Sequence, residues 1–259
     1  MFSKDFISFF CEFLEKKGLG FDLKKRNIVE LEQFIVQYFE GISEIIESSE
    51  NKLQINVWKD QWENFPEVVM SRLQSLLSEN QKLPARVCKV RRIDKRHAEA
   101  FLNENHLQQY AGGKIKYGLF LPKNYFRLLP EAFLKDSEEI LVAVMTFSGG
   151  KKFYFGDKTE QSFELIRFAS LNGLNVVGGF SKLLKFFVDD KKPGNIMTYI
   201  DADWSNGASF GKLGFVLEAT MPPNFYILDG TQRRALTENV DEATVKNSGS
   251  FKYILREFS

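Results

Sequence analysis

Apolar positions along the chain follow two periods. Phe2, Phe6, Phe9, Phe10, Phe13 and Leu14 recur at helical spacing, and Gly18-Leu19-Gly20 stops the run, which predicts an amphipathic helix over 3–17. Ile28, Leu31, Phe34, Ile35, Tyr38, Phe39, Ile42, Ile45 and Ile46 step by threes and fours, predicting a second helix over 28–48 before a turn at Ser49-Glu50-Asn51. Residues 53–58 alternate apolar and polar as a half-buried strand does, and a third helix is expected over 65–77 with Pro66 in its first turn. The polar stretch 78–84 ends in proline. A boundary there gives a small, mostly helical N-terminal domain (1–84) and a larger second domain (85–259).

In the second domain the period alternates. Strands are expected at 87–93, 114–121, 139–147, 162–169, 195–200, 215–219, 225–228 and 251–257. Helices are expected at 95–105, 179–188 and 208–213, with a loop-and-helix insertion over 122–137. Strands interleaved with helices imply an α/β (α+β) class, a mixed sheet flanked by helices. There is no internal repeat.

Composition narrows the class without naming a partner. Of 259 residues, 44% are hydrophobic and 27% charged, with a formal net charge of +1, as in globular proteins. Residues 1–84 carry 10 Lys/Arg against 14 Asp/Glu, and residues 85–259 carry 25 against 20, a mild basic excess that suits an anionic ligand. Cys11 and Cys88 suggest neither a disulfide framework nor a metal site. No apolar run approaches the roughly 20 residues that cross a bilayer, and the N-terminus lacks a signal-peptide pattern. A cytoplasmic protein without a membrane partner is expected.

The strongest chemical signal is Val177-Gly178-Gly179-Phe180-Ser181-Lys182, between a strand candidate (165–169) and a helix. A glycine pair entering a helix exposes successive N–H groups at the positive end of the helix dipole, a site for phosphate. Ser181 and Lys182 add a hydroxyl and a cation. The same glycines also serve simple close packing. Farther along, Tyr199-Ile200-Asp201-Ala202-Asp203-Trp204-Ser205-Asn206-Gly207 opens a strand into a polar turn, followed by Phe210-Gly211-Lys212-Leu213-Gly214-Phe215.

With these pieces, the chain from about Cys88 to Phe258 resembles the GCN5-related N-acetyltransferase (GNAT) superfamily. Asn175-Val176-Val177-Gly178-Gly179-Phe180 stands for that family's Arg/Gln-x-x-Gly-x-Gly/Ala loop, and Phe210–Phe215 for its Tyr-x-Lys-Leu-Gly-Phe helix end. The resemblance implies acetyl-CoA or another acyl-CoA as cofactor, its pyrophosphate held by Val177, Gly178, Gly179, Phe180, Ser181 and Lys182. Three positions depart from the pattern. Asn175 replaces the basic or amide-bearing residue, Phe180 replaces a small one, and Phe210 stands where many members have a proton-donating tyrosine, a task phenylalanine cannot perform.

A closer resemblance is to the acetyltransferase-like module behind very-short-patch-repair-like nucleases in phage and bacterial proteins, and to phage adenine-modifying (Mom-like) proteins. It is carried by Val57–Trp62 with Ser71-Arg72-Leu73, Ala85–Cys88, Phe101–His106, Glu164–Phe168, Val176–Gly179, Tyr199–Ser205 and Pro223–Tyr226. It implies nucleic acid as a partner. In residues 1–84 only a strand and helix of the nuclease look retained, around 53–77. Asp60 and Glu63 are the acids weighed beside them and histidine is absent from 1–84, so a remnant without the metal-holding acids of a nuclease is expected.

Within this frame the candidate catalytic residues are Glu164, Asp203, Ser205, Tyr226 and His106, and the candidate acceptor-binding residues are Arg167, Asp201 and Trp204. Glu164 lies where the family often positions its general base, or else pairs with Arg167. His106 is a general base or a helix-end cap; His97 reads as surface. Arg167 contacts phosphate or pairs with a carboxylate. Asp201 and Asp203, with Trp204 and Ser205, sit at a strand mouth where open α/β sheets bind ligands, or cap the strand end. Tyr226 is the surviving phenol near the last strands. Lys151-Lys152-Phe153-Tyr154 mixes cations with aromatics as single-strand nucleic-acid surfaces do, or forms a solvated hairpin tip. Two functions follow: acyl-CoA-dependent transfer to a nucleobase, nucleic acid or other amine, or a non-catalytic module binding nucleic acid or a partner.

Overall fold

The computed structural model describes residues 5–42, 52–134, 136–155, 158–230 and 232–258. In chain order they form α1 (Phe6–Lys16), β1 (Asp22–Lys25), β2 (Ile28–Glu30), β3 (Phe34–Phe39), β4 (Leu53–Trp58), α2 (Lys59–Asn64), α3 (Pro66–Leu76), β5 (Gln81–Pro84), β6 (Lys89–Arg92), α4 (Lys95–Asn105), β7 (Ile115–Pro122) and β8 (Glu139–Phe147). There follow β9 (Lys151–Phe155), β10 (Lys158–Ser170), β11 (Leu174–Val177), α5 (Gly179–Lys191), β12 (Asn195–Asp201), α6 (Ala208–Gly211), β13 (Val216–Met221), β14 (Phe225–Asp229), β15 (Gln232–Leu236), β16 (Val245–Lys246) and β17 (Ser250–Leu255). This is the expected mixed α/β class, sheets flanked by helices. The insertion expected at 122–137 holds 3-10 turns at Lys123–Leu128 and Glu131–Phe133 rather than an α-helix.

Two compact units divide the chain. The first is Met1–Pro66 with Ile200–Lys212 and Leu217–Lys252; the second is Glu67–Tyr199 with Leu213–Val216 and Tyr253–Ser259. This differs from a single cut at residue 84, because strand pairing draws distant segments together. Gln81–Pro84, read as a linker, is β5, and it pairs in parallel with β11 from Leu174↔Gln81 to Val177↔Pro84. Gly173 N–H donates to Ser71 Oγ (2.9 Å) and Gln81 N–H to Gly173 O (3.0 Å), fixing where that pairing begins.

The first unit is not mostly helical. Asp5 caps α1 by accepting the Ile7 N–H, and α1 buries Phe6, Ile7, Phe10 and Leu14. Phe6 packs on Tyr38 and Trp62, with ring centroids 5.2 and 5.1 Å apart. Where a second helix was expected, residues 28–39 form β2 and β3 in a four-stranded sheet of order β1-β2-β3-β4, with β3 and β4 parallel. Val36, Gln37, Tyr38 and Phe39 are all buried. A strand covered on both faces is apolar at nearly every step, so it also satisfies three- and four-residue spacing; the β-branched Ile28, Val29, Ile35 and Val36 favour the strand. Residues 43–51, including Ile45, Ile46 and the expected turn, lie outside the described residues.

The second unit is built on a sheet with the strand order β12-β10-β8-β7-β6, with β9 on β10. Helix α5 covers one face: Phe187 stacks on Phe147 (3.6 Å between centroids, 9° between planes) and meets Phe163 edge-on. Helix α4 covers the other, where Ala98, Phe101 and Leu102 pack on Val144 and Ala169. Phe187 is fully buried. Replacing it by alanine should cost about 3–5 kcal/mol from lost burial and the cavity left behind, read as a lower urea midpoint.

Candidate functional site

The turn singled out in the sequence follows an interruption in the sheet. β10 and β12 pair in parallel from Ser162↔Asn195 to Leu165↔Thr198, where Thr198 Oγ1 donates to the Leu165 carbonyl (3.0 Å). The next residue, Ile166, is an extra residue against β8, since Leu165 faces Phe147 and Arg167 faces Thr146. Beyond this bulge β10 stays paired with β8 through Ser170 but leaves β12, as bulged strands do when their twist changes.

β11 then leads into Gly178, which holds φ +76 as the N-cap of α5. Only glycine takes that conformation without strain. A Cβ on Gly179 would stand 3.0 Å from Val176 Cγ1, so the second glycine lets the helix start close against β11. The first-turn amides of a helix have no acceptor within it and lie at the positive end of its dipole. Val177, Gly178 and Ser181 are exposed, and the Phe180 ring packs edge-on against Phe168 of β10 (5.1 Å). Lys182, expected at a phosphate, is bound otherwise: its Nζ donates to the carbonyls of Ala85 (3.0 Å) and Cys88 (2.7 Å). Its ammonium ties the segment after β5 to α5.

Residues directly opposite in a ladder share a face. Lys116, Thr146 and Arg167 lie opposite one another across β7, β8 and β10. Ala169 lies opposite Val144 on the α4 side, so this row shares that face. Glu164, one residue before Leu165 and its α5-side partner Phe147, also points to the α4 side, as do Met197, opposite it, and Tyr199 two residues on. Tyr199 is 45% exposed. The second unit thus gathers Glu164, Arg167 and an exposed phenol on one face. Tyr199, Thr146 and Lys116 were not picked out from sequence; only strand register reveals their grouping.

Arg167 is held by its Nε–H to the Gln109 carbonyl (3.1 Å) and its Nη1–H to the Ile166 carbonyl (2.9 Å). His106 follows α4, its N–H closing the last turn on Leu102 O. Burial, then the nearby Arg167 and Arg72 cations, hold His106 well below the usual histidine range, so the ring is neutral at pH 7. Its Nδ1 accepts the Gln108 N–H (3.1 Å), which places the proton on Nε2. His106 therefore presents a donor, not a general base. His97, exposed as expected, bonds the N-cap Asp94.

The remaining candidates fall in the first unit. Asp203 is fully buried. Its Oδ1 accepts from Ser248 Oγ (2.6 Å), Ser248 N (3.1 Å) and Asn56 Nδ2 (3.2 Å), and its Oδ2 from Trp58 Nε1 (3.1 Å). A carboxylate so enclosed fastens the 247–249 loop to β4 instead of meeting an acceptor. Asp201 caps the turn by accepting the Asp203 N–H (3.0 Å), Trp204 is buried, and Ser205 accepts the Gly207 N–H (3.0 Å) before α6. The Tyr226 hydroxyl accepts from Asn247 Nδ2 (3.4 Å), and burial raises its phenol above the usual tyrosine range. Asp60, one of the acids near the nuclease-like strand, receives both Nε (2.8 Å) and Nη2 (2.9 Å) of Arg233 in a buried pair. Among the described residues no group of three His, Cys, Asp or Glu is placed to hold a metal ion.

No protein-family model and no curated protein matches the chain. Solved structures similar to it include Arabidopsis thaliana NAA60 with acetyl-CoA (10% identity, TM-score 0.42, 66% of this chain and 99% of that one) and a Bacillus subtilis acetyltransferase with CoA (13%, 0.41, 66% and 99%). Another is the KacTA–DNA complex (14%, 0.34, 64% and 92%). Likeness of this degree carries no inference about activity. The strand register and side chains described above carry the reading of the site.

Burial and the Asp201 charge raise Asp203 to about 6, against hydrogen bonds from Ser248, Asn56 and Trp58 that favour the carboxylate. An unfolded aspartate titrates near 3.9. Between those values the folded state binds more protons, so this group's contribution is full below about pH 4 and lost as pH rises through about 6. Wild type should therefore lose on the order of 1–2 kcal/mol relative to Asp203→Asn between pH 4.5 and 7.5 in paired urea titrations.

Proposed function

We propose that this chain is an acyl-CoA-dependent acyltransferase of GNAT type whose acceptor is an amine, a nucleobase or nucleic-acid amine being the substrate its sequence resemblance suggests. The observation that carries this reading is the end of the β10–β12 ladder at Leu165↔Thr198, followed by the glycine-opened start of α5. The amides of Gly179, Phe180 and Ser181, with Gly178 in its left-handed turn, would hold the pyrophosphate. The β10 backbone beyond Leu165, free of β12, offers hydrogen-bonding groups to an extended ligand, as an added strand would use them. Acyl-CoA, when bound, supplies the acyl group as an activated thioester.

The chain's own groups divide the proton work. Glu164, on the α4 face, takes the proton from the acceptor amine as its nitrogen forms the new bond to carbon. Tyr199, on the same face, holds the proton for the departing thiol, the task Phe210 cannot perform. His106, with its proton on Nε2, donates a hydrogen bond to the acceptor. The loss of a phenol at 210 and the engagement of Lys182 favour a second reading, coenzyme binding without transfer.

Calorimetry with coenzyme A and acetyl-CoA tests the common part: a saturating titration and a raised melting temperature are expected, and absence of both at millimolar ligand sinks both readings. Glu164→Gln should lower kcat by about 10²–10⁴ with coenzyme affinity unchanged, and Tyr199→Phe should lower kcat with the same affinity retained. Bound coenzyme with no acyl transfer to amine, nucleoside or oligonucleotide would favour the second reading.

A further inference from the structure

β9 and the start of β10 leave the sheet as a two-stranded ribbon. β9 pairs with β10 from Lys151↔Ser162 to Phe155↔Lys158, and the β10–β12 ladder begins only at Ser162. β9 follows β8 along the same side of β10, with the Ser148 N–H donating to the Glu164 carbonyl (2.9 Å) between them. Its outer edge therefore lies on the side of β7 and has no partner strand among the described residues. The passage from β8 to β9 is tight. A Cβ on Gly149 would stand 2.9 Å from Lys114 Cδ, and one on Gly150 would stand 2.8 Å from Phe163 Cζ. Lys114, just before β7, thus lies alongside the root of the ribbon.

Register sorts the ribbon's side chains between its faces. Phe163 packs on Phe187 of α5, and Gln161, two residues before it, shares that face with Lys152 opposite; Thr159 and Tyr154 form the next pair there. Lys151 lies opposite Ser162, on the face of Glu164. Successive lysines therefore straddle the β9 edge. Tyr154 is 80% exposed, against 45% for Tyr199. Among the described residues the ammonium groups of Lys114, Lys151 and Lys152 meet no carboxylate, whereas Lys185, Lys191 and Lys192 at the end of α5 pair with Asp189 or Asp190. Glu160 of the ribbon lies against Gly194, on the opposite face from Tyr154.

We propose that the β9–β10 ribbon is an arm for single-stranded nucleic acid, which crosses the outer edge of β9 with its phosphates held by Lys114, Lys151 and Lys152 and one base stacked on Tyr154. An acidic peptide would satisfy the cations alone. The open ring beside Lys152 favours nucleic acid, because an unpaired base has a π face to lay on it. Lys151 shares the face of Glu164, so the arm leads the strand towards the acceptor side. The inference deepens the nucleic-acid branch of the proposed function and rests on it for the acceptor; coenzyme binding at the α5 turn is measured separately.

The test is fluorescence anisotropy of the full chain at low salt with a short labelled oligonucleotide, single-stranded and as its duplex, beside coenzyme A calorimetry on the same preparations. Wild type should bind the single strand more tightly than the duplex. Tyr154→Thr should weaken single-strand binding about tenfold, and Tyr154→Phe should bind as wild type does, since both substitutions keep a strand-forming residue and only the ring differs. Lys151→Gln combined with Lys152→Gln should flatten the plot of log affinity against log salt by about 0.7 for each lysine. Melting temperature and coenzyme A affinity should be unchanged in every variant. Oligonucleotide binding without coenzyme binding sinks the acyl-transfer reading and leaves the arm standing. The arm is overturned by no oligonucleotide binding in wild type, by wild-type affinity in Tyr154→Thr, by an unchanged salt slope in the lysine variant, or by duplex binding as tight as single-strand binding. Polyglutamate binding of equal strength and equal dependence on the two lysines also overturns it, assigning an acidic peptide instead.

Discussion

Leu165 and Thr198 form the last residue pair between β10 and β12, and the arrangement of the second unit's candidate site depends on the ladder stopping there. Had pairing continued, the backbone of both strands would be spent on the sheet. The stop is built from a side chain and a bulge: the Thr198 hydroxyl takes the Leu165 carbonyl, and Ile166 is an extra residue that re-aims β10. The bulge also sets which face each later side chain meets. Without it Arg167 would fall on the α5 side, away from Glu164 and Thr146.

Around that interruption the side chains are held mainly by backbone. Arg167 is fixed by two carbonyls, Lys182 by two more, and His106 by the Gln108 amide. Such bonds cost the ions little of their charge while removing their freedom. Burial first, and then the nearby Arg167 and Arg72, keep His106 neutral. The first unit uses the opposite device. Asp203 is enclosed by four donor contacts from Ser248, Asn56 and Trp58, and Asp60 is bound twice by Arg233. Those acids stabilise loops and are removed from reach of a substrate or metal.

Regular period made some elements legible to the residue. Helix 95–105 and strand 139–147 were read with the bounds they have, because α4 exposes one face and β8 is a long apolar run bounded by polar turns. The stretch 28–39 misled for a physical reason: burial on both faces erases the alternation that marks a strand. Gln81–Pro84 was invisible as a strand, being four residues whose partner is 93 positions away. The same division runs through the site. Gly178 and Gly179 stood out because a left-handed cap and a close helix start both require glycine. Lys182 and Asp203 were recognised as polar groups but not for their partners, which come from other parts of the chain.

Local chemistry thus came from the residues alone: the class, most helices and strands, and the glycine turn. These depend on interactions within a few positions of each other. Register decided the rest. A one-residue slip in β10 turns every following side chain to the other face, so the grouping of Lys116, Thr146, Arg167, Glu164 and Tyr199 exists only once three ladders and one bulge are fixed together. The burial of Asp203 likewise depends on β4 and the 247–249 loop meeting it, contacts that span more than 140 and about 45 residues of chain.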